Sequence, residues 1–375
     1  MPKLLFILLS WFAIFPIEAS SESPVITPKI IGGIESENNE LPWQAYLNMS
    51  FPDGDGTKTF ICGGVVISPT AVLTAAHCMR NGSTTAAAEN VDVWAGITSI
   101  FSANRFNAVS VNEIIIHPSY SSSRFANDIA ILVLSSPLPD SAVPIKIASD
   151  SEQQSVDNEF DNGWVSNGDR VANLLVSGWG STDPNSSGSG STKLRQTLLS
   201  GVPDRTCDGM WGANINTGDY SIYLCAGSTS PDLARDSCFG DSGGPLVWQN
   251  PQTAADSDFG LRLVGLVSFG EGCAGRLPGV YTQASNYRSW IASELGNGIF
   301  SQATSTFTIN PFLSDYGNAG EGIVVNNTSS SSGGGGGGNI AFSYLLGLGL
   351  LALLRARRNN RDARKTVLMG LKGTK

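Results

Sequence analysis

Between Trp43 and about Leu295 the chain alternates short apolar runs with clusters of Gly, Pro, Ser and Asn. Short apolar runs bounded by turn-forming residues read as strands rather than helices. The pattern predicts strands at Gly63–Ser68, Val91–Ala95, Ala130–Leu134, Leu174–Ser177, Leu246–Trp248 and Leu261–Ser268. One amphipathic segment, Tyr287–Leu295, predicts a closing helix. The body of the chain is therefore expected to be all-β. Two stretches interrupt the rhythm. Asp150 to Asp169 carries six acidic residues and few aliphatics, and Asn250 to Asp258 is polar. Both are expected to be solvated surface loops.

The pattern changes at both ends. In residues 1–19, Lys3 is followed by an apolar segment from Leu4 to Ile17 and by Ile17-Glu18-Ala19, the arrangement of a secretory signal with its cut site. A membrane anchor is the alternative, but the run is short and broken by Pro16. Residues 20–29 form a short polar segment with the character of a propeptide, which sets the boundaries of the main domain at 30–296. Residues 297–338 are rich in Ser, Thr, Asn and Gly, ending in six glycines from Gly333 to Gly338, and read as a linker or stalk, with room for a small strand pair. Residues 339–375 hold fifteen apolar or small residues, Ile340 to Leu354, followed at once by Arg355-Ala356-Arg357-Arg358. About twenty residues are usual for a membrane span. A basic cluster at the end of the run nevertheless suits insertion with that cluster on the cytoplasmic side. A buried core helix is the alternative.

Charge and cysteine narrow the class. The 375-residue chain has a net charge of −9. Arg355 to Lys375 holds eight Lys/Arg and one Asp, a charge of +7, so the remainder carries −16. An acidic body argues against general nucleic-acid binding. The six cysteines, Cys62, Cys78, Cys207, Cys225, Cys238 and Cys273, form no C-x-x-C pair, which weakens zinc and redox readings. Behind an export signal they read as three disulfides. Six cysteines allow 15 pairings, and the spacing does not choose among them.

The chemistry centres on Asp236-Ser237-Cys238-Phe239-Gly240-Asp241-Ser242-Gly243-Gly244-Pro245. A serine hydroxyl becomes a nucleophile when a base takes its proton, and its reaction needs N–H groups aimed at the oxyanion. Gly240 and Gly243 leave the backbone around Ser242 open to a substrate carbonyl. Gly/Ser/Asp clusters alone are more often plain turns, so the base has to be found elsewhere. The chain has two histidines. His77 lies in Leu73-Thr74-Ala75-Ala76-His77-Cys78. His117 lies in an Ile116-His117-Pro118 loop and is expected to be structural. Asp128, in Asn127-Asp128-Ile129-Ala130, heads an apolar run where a buried carboxylate could fix an imidazole tautomer.

Four motifs, Ile30-Ile31-Gly32-Gly33, Thr74-Ala75-Ala76-His77-Cys78, Asp128-Ile129-Ala130 and Gly240-Asp241-Ser242-Gly243-Gly244-Pro245, stand in an order that resembles the trypsin-like serine endopeptidases of the chymotrypsin fold. The resemblance covers about residues 30–296. It implies two packed six-stranded antiparallel barrels with a C-terminal helix, the site lying between them. It implies His77 as general base, Asp128 as its orienting acid, Ser242 as nucleophile, and the N–H groups of Gly240 and Ser242 as the oxyanion hole. It implies disulfides Cys62–Cys78, Cys207–Cys225 and Cys238–Cys273. Cleavage after Lys29 would free Ile30 to pair with Asp241. Asp236 would floor a pocket for Arg or Lys, with Gly270 and Gly279 on its walls, Ser237 and Tyr281 at its back, and Ser268 and Phe269 beside the substrate. Phe269 stands where the family has tryptophan, and Phe239 occupies a rim position that is often polar. The loop after Gly96 lacks the acidic pair that binds calcium in some relatives, so no metal is expected, and no cofactor.

The expected partners are protein or peptide substrates with Arg or Lys before the scissile bond, and an activating protease. The glycine run, apolar segment and basic end resemble GlyGly-type bacterial sorting tails. That resemblance implies a tail-processing intramembrane protease, membrane contact through residues 340–354 before removal, and a secreted or cell-surface product. Two other classes compete: a binding protein on the same scaffold, and a surface-anchored adhesion protein. Neither explains why every piece of the cleft is present.

Overall fold

The computed structural model describes residues 30–319 apart from 55, 184–185 and 213–218. All lie in the first of two compact units of the chain, Met1–Asn326. The expected signal, the propeptide with Lys29, the glycine run and the apolar segment at 340–354 lie outside the described residues. Among the described residues no helix is long and apolar enough to cross a membrane.

Twelve strands build two barrels. The first comprises β1 (Gln44–Asp53), β2 (Gly56–Ser68), β3 (Ala71–Thr74), β4 (Val91–Ala95), β5 (Val109–Ile116) and β6 (Ala130–Leu134), closed in the order β1-β2-β3-β6-β5-β4. The second comprises β7 (Leu174–Gly178), β8 (Arg195–Val202), β9 (Tyr223–Gly227), β10 (Pro245–Gln249), β11 (Leu261–Phe269) and β12 (Gly279–Gln283). Its pairings close in the order β7-β8-β9-β12-β11-β10, the same path, and every pairing within both barrels is antiparallel. Closure removes the free strand edges that an open sheet would expose. Among the described residues three α-helices accompany them, α1 (Asp150–Gly163), α2 (Asp204–Trp211) and α3 (Arg288–Leu295), the last following the final strand.

The apolar runs are continuous, rather than alternating, where strands are covered on both faces. Ala130 and Leu132 of β6 point into the first barrel, while Ile131 between them joins a seam shared with Leu175, Val247, Leu263 and Leu266 of the second. Leu246 and Trp248 of β10 fill the second barrel on either side of Val247. This seam holds the barrels together and fixes the loops that meet above it.

Two expectations about surface segments are corrected. Most of the acidic insertion is a 14-residue helix, α1 (Asp150–Gly163). Ser149 and Glu152 form a reciprocal capping box at its start. Val156 and Phe160 are buried, and Phe160 lies so close over Gly201 of β8 that any Cβ there would fall 2.1 Å from the ring. The acidic residues are also used. Glu159 accepts from the Trp248 indole at 2.8 Å, and Arg262 bridges Glu152 at 2.6 Å and buried Asp258 at 2.9 Å. Arg262 thus anchors both stretches that read as free loops.

The expected linker also begins differently. Residues 297–319 hold short 3-10 turns and, among the described residues, no strand. They lie against the barrels as a strap, with Phe307 buried edge-on against Trp43 at a centroid distance of 4.7 Å.

Candidate active site

β3 delivers Thr74 and Ala75 directly into a short turn, Ala76–Met79, that carries His77. The Cys62–Cys78 disulfide ties this turn to β2. Asp128 sits at the head of β6 with no exposed surface. Its Oδ1 accepts the His77 backbone N–H at 2.8 Å, and its Oδ2 accepts the imidazole Nδ1–H at 2.7 Å and the Ser268 hydroxyl at 2.5 Å. Thr282 donates to the Asp128 carbonyl at 2.9 Å. These contacts place the His77 proton on Nδ1 and leave Nε2 as the free base. Burial alone would lower the imidazole pKa. The charge of Asp128 and its hydrogen bond outweigh that effect and hold it above the ordinary histidine value.

Ser242 lies in the loop between Asp236 and Pro245. The loop is locked by inward N–H groups: Asp241 to Cys238 O at 3.0 Å, Gly243 to Val267 O at 2.8 Å and Gly244 to Asp241 O at 2.8 Å. Gly63 of the first barrel donates to the Ser242 carbonyl at 2.8 Å. Gly243 has φ of +76°, and a Cβ there would meet Thr74 Oγ1 at 2.1 Å, so only glycine fits this crossing. The N–H groups of Gly240 and Ser242 have no acceptor among the described residues, which leaves two adjacent donors for an oxyanion.

His77 and Ser242 line one cavity of about 300 Å³ together with Asp236, Ser237, Phe269, Gly270 and Gly279. No hydrogen bond joins the His77 and Ser242 side chains. Such bonds are often long before substrate binds. His117 is elsewhere: its Nδ1 accepts from Ser119 N–H at 3.2 Å, and the rings of Tyr287 and Trp290 meet it edge-on.

Two buried carboxylates flank the nucleophile. Asp236 Oδ2 accepts the Ala274 N–H at 2.8 Å, while Oδ1 is buried with no partner. A Cβ on Gly279 would lie 3.0 Å from that Oδ1, so the glycine keeps its approach open. The Cys238–Cys273 disulfide joins the strands of backbone on either side. Asp241 is fully buried and accepts from Gly180 N–H at 2.7 Å and Cys238 N–H at 2.8 Å. Burial pushes both carboxyls up to about 7. Ile30 and Ile31 are fully buried too, and Ile31 pairs with Asp236 through an isolated bridge. The remaining disulfide is Cys207–Cys225.

Sequence reasoning missed Phe125. It lines the cavity, meets the His77 ring edge-on at 5.6 Å and lies 5.3 Å from Phe269. It sits in a loop at φ of +51°, so no strand or helix period marks it. Ser268, expected beside the substrate, also donates to Asp128, a contact that no local spacing marks.

The model of the family described as Trypsin matches residues 30–291. The chain is 33% identical to Trypsin-3 of Salmo salar over 271 residues, covering 72% of this chain and 94% of that protein. It is 32% identical to Cationic trypsin-3 of Rattus norvegicus over 266 residues, with 70% and 88% covered. It is 31% identical to the Clotting factor G beta subunit of Tachypleus tridentatus over 280 residues, with 72% and 80% covered.

Proposed function

The chain belongs to the trypsin family and is a serine endopeptidase, and from that premise we propose that it cleaves after Arg and Lys, with Ser242, His77 and Asp128 as the catalytic residues. His77 Nε2 takes the Ser242 proton as Oγ bonds to the substrate carbonyl carbon. The Gly240 and Ser242 N–H groups receive the oxyanion. His77 then returns the proton to the departing amine as the C–N bond breaks, leaving an acyl-enzyme. Water, activated by the same imidazole, releases the acid product. Asp128 stays ionised and holds the imidazolium.

The observation that carries the specificity reading is the unpartnered Asp236 Oδ1 at the end of the cavity that His77 and Ser242 share. A buried carboxylate oxygen with unused lone pairs favours a cationic side chain and disfavours an apolar one. Gly270 and Gly279 leave room for that side chain. Ser237, Ser268 and Phe269 line the same space.

Activation is read as cleavage after Lys29. The new Ile30 ammonium would pair with Asp241, which is buried beside the Ser242 loop and, among the described residues, accepts only from N–H donors. A lysine before the cut matches the chain's own proposed preference, so either this enzyme or another protease could make it. Residues 1–19 support export. The glycine run, residues 340–354 and the arginines after them support a sorting tail removed by an intramembrane protease, which would yield a secreted or surface form.

A fluorophosphonate probe tests the mechanism. It should label the Ile30-terminated enzyme at Ser242 and leave Ser242→Ala and His77→Ala unlabelled. Labelling at another residue would overturn the assignment.

A further inference from the structure

The strap after α3 is not explained by the reaction. It leaves the helix with Phe300 stacked under the Arg288 guanidinium at 3.9 Å. Lys146 Nζ donates to Thr304 Oγ1 at 2.6 Å, Ser305 Oγ to Pro144 O at 2.6 Å, and Phe307 N–H to Ser257 O at 2.9 Å. These bonds use the segment between the barrels at Pro144 and Lys146 and the β10–β11 loop at Ser257, and Phe307 then seals the strap onto Trp43. The cost of ordering more than twenty residues is met by such contacts only if the whole path docks.

The far end of the strap lands beside the Ile30–Gly33 segment. Ser314 Oγ donates to Glu40 Oε1. Glu40 is a fully buried carboxylate that also accepts from Glu37 N–H at 2.6 Å and Gln196 Nε2 at 2.5 Å. Gln196 pairs with Ile34 across strands, and its neighbour Thr197 donates to Gly32 O at 3.0 Å. On the other side, the Arg235 stem packs on Gly32, where a Cβ would lie 2.9 Å from its Cγ. The Arg235 guanidinium is within electrostatic reach of the Tyr316 phenol, whose hydroxyl donates to Pro311 O at 2.9 Å. Arg235 directly precedes Asp236. The strap therefore touches the Glu40 wall of the frame that surrounds Ile30–Gly33 and lies within electrostatic reach of the Arg235 wall.

We propose that Ser314 and Tyr316 are positioning residues for the reaction: the strap closes the frame, through Glu40 and Arg235, into which the freed Ile30 amino terminus inserts. The inference rests on the activation reading above. The strap adds no group to the cleft. It acts by favouring the inserted state, in which Asp241 has its cation and the Ser242 loop is held.

The inserted state requires a protonated Ile30 amine. A free α-amino group titrates near 7.7–8.0. Insertion raises the apparent midpoint by the logarithm of the insertion constant, so a tenfold weaker insertion lowers the alkaline limb of activity by about one pH unit. The charged or titratable groups around the segment are Asp241, Asp236, Arg235, Glu40, the Arg195–Glu35 pair and Tyr316. Burial pushes the Tyr316 phenol up and holds the Asp236 and Asp241 carboxyls at about 7, so none of the three has its midpoint on this limb. The Ile30 amine is the group that does.

The test uses the full chain cleaved after Lys29, as wild type, Ser314→Ala, Ser314→Thr and Tyr316→Phe, all of which keep the apolar packing of the strap. The value of kcat/KM for an Arg peptide is measured from pH 6 to 10. We expect Ser314→Ala to move the alkaline midpoint down by about one unit with little change at pH 7, Tyr316→Phe by less, and Ser314→Thr to restore wild-type behaviour. Identical alkaline limbs in wild type and Ser314→Ala would overturn the proposal while leaving the activation reading intact. A wild-type enzyme whose activity survives carbamylation of Ile30 would overturn both.

Discussion

The two barrels follow the same strand path but bring different things to the cleft. The first supplies His77 and Asp128 with their hydrogen bonds already made: the carboxylate accepts three donors, and the imidazole is fixed in one tautomer. The second supplies Asp236 and Asp241, buried carboxylates with no cation beside either among the described residues. Burying an unpaired charge is unfavourable by several kcal/mol, so under the function proposed above the second barrel is complete only when cations arrive. On the proposed reading one cation is the chain's own Ile30 amine and the other is the substrate's side chain. A base and its orienter can be finished in the free enzyme, whereas groups that recognise activation and substrate must be left open.

The largest expected effect breaks the finished half. Asp128→Asn should preserve the fold but reverse the imidazole tautomer, lowering kcat on the order of 10⁴-fold. Peptide turnover near pH 7, beside a thermal melt close to wild type, checks this. The next breaks the open half. Asp236→Ser should reduce kcat/KM for Arg and Lys peptides by about 10³-fold, from the 3–5 kcal/mol that a buried ion pair loses with one partner. Labelling of Ser242 by the small fluorophosphonate should be nearly unchanged, because that probe does not use the pocket floor.

The third sharpens the contrast by pH. Asp236 and Asp241 are pushed up to about 7 in this fold, against about 3.9 in an unfolded chain. The folded form therefore binds more protons between about pH 4 and 7, and its stability falls as pH rises through that window. His77, raised by Asp128, contributes in the same direction but equally before and after cleavage. Melting of Ser242→Ala protein at pH 5 and pH 8 should show a larger drop for the uncleaved chain than for the Ile30-terminated one, in which Asp241 has its cation. The smallest effect concerns α1. Ser149→Ala removes its capping box and should cost about 1 kcal/mol, read as a fall of a few degrees at most in the melting temperature, with kcat unchanged.

The sequence was most informative where strands are buried on both faces. Ala130–Leu134 matches β6 because its apolar run is uninterrupted, and Val91–Ala95 matches β4 although exposed Asp92 interrupts its run. It was least informative for α1, where Gln153, Val156 and Phe160 are the only buried residues in fourteen and the rest are polar or acidic. The strap was hidden in the same way: Phe307 is a single aromatic in a Ser/Thr-rich stretch, and its partner Trp43 lies far away in the chain. Within the site, Ser242, His77 and Asp128 stood out by motif. Phe125 and the Ser268–Asp128 bond did not, since both arise from tertiary approach of loops rather than from local spacing.

The central claim is that two cations complete the second barrel. Its most direct test is hydrolysis of matched Arg, Lys and Phe peptides by the chain before and after cleavage at Lys29, with Ser242→Ala as the control. The account requires Arg and Lys turnover to appear only after the cut and to exceed Phe turnover by about 10³-fold. Equal turnover before the cut, or Phe cleaved as fast as Arg, would contradict it.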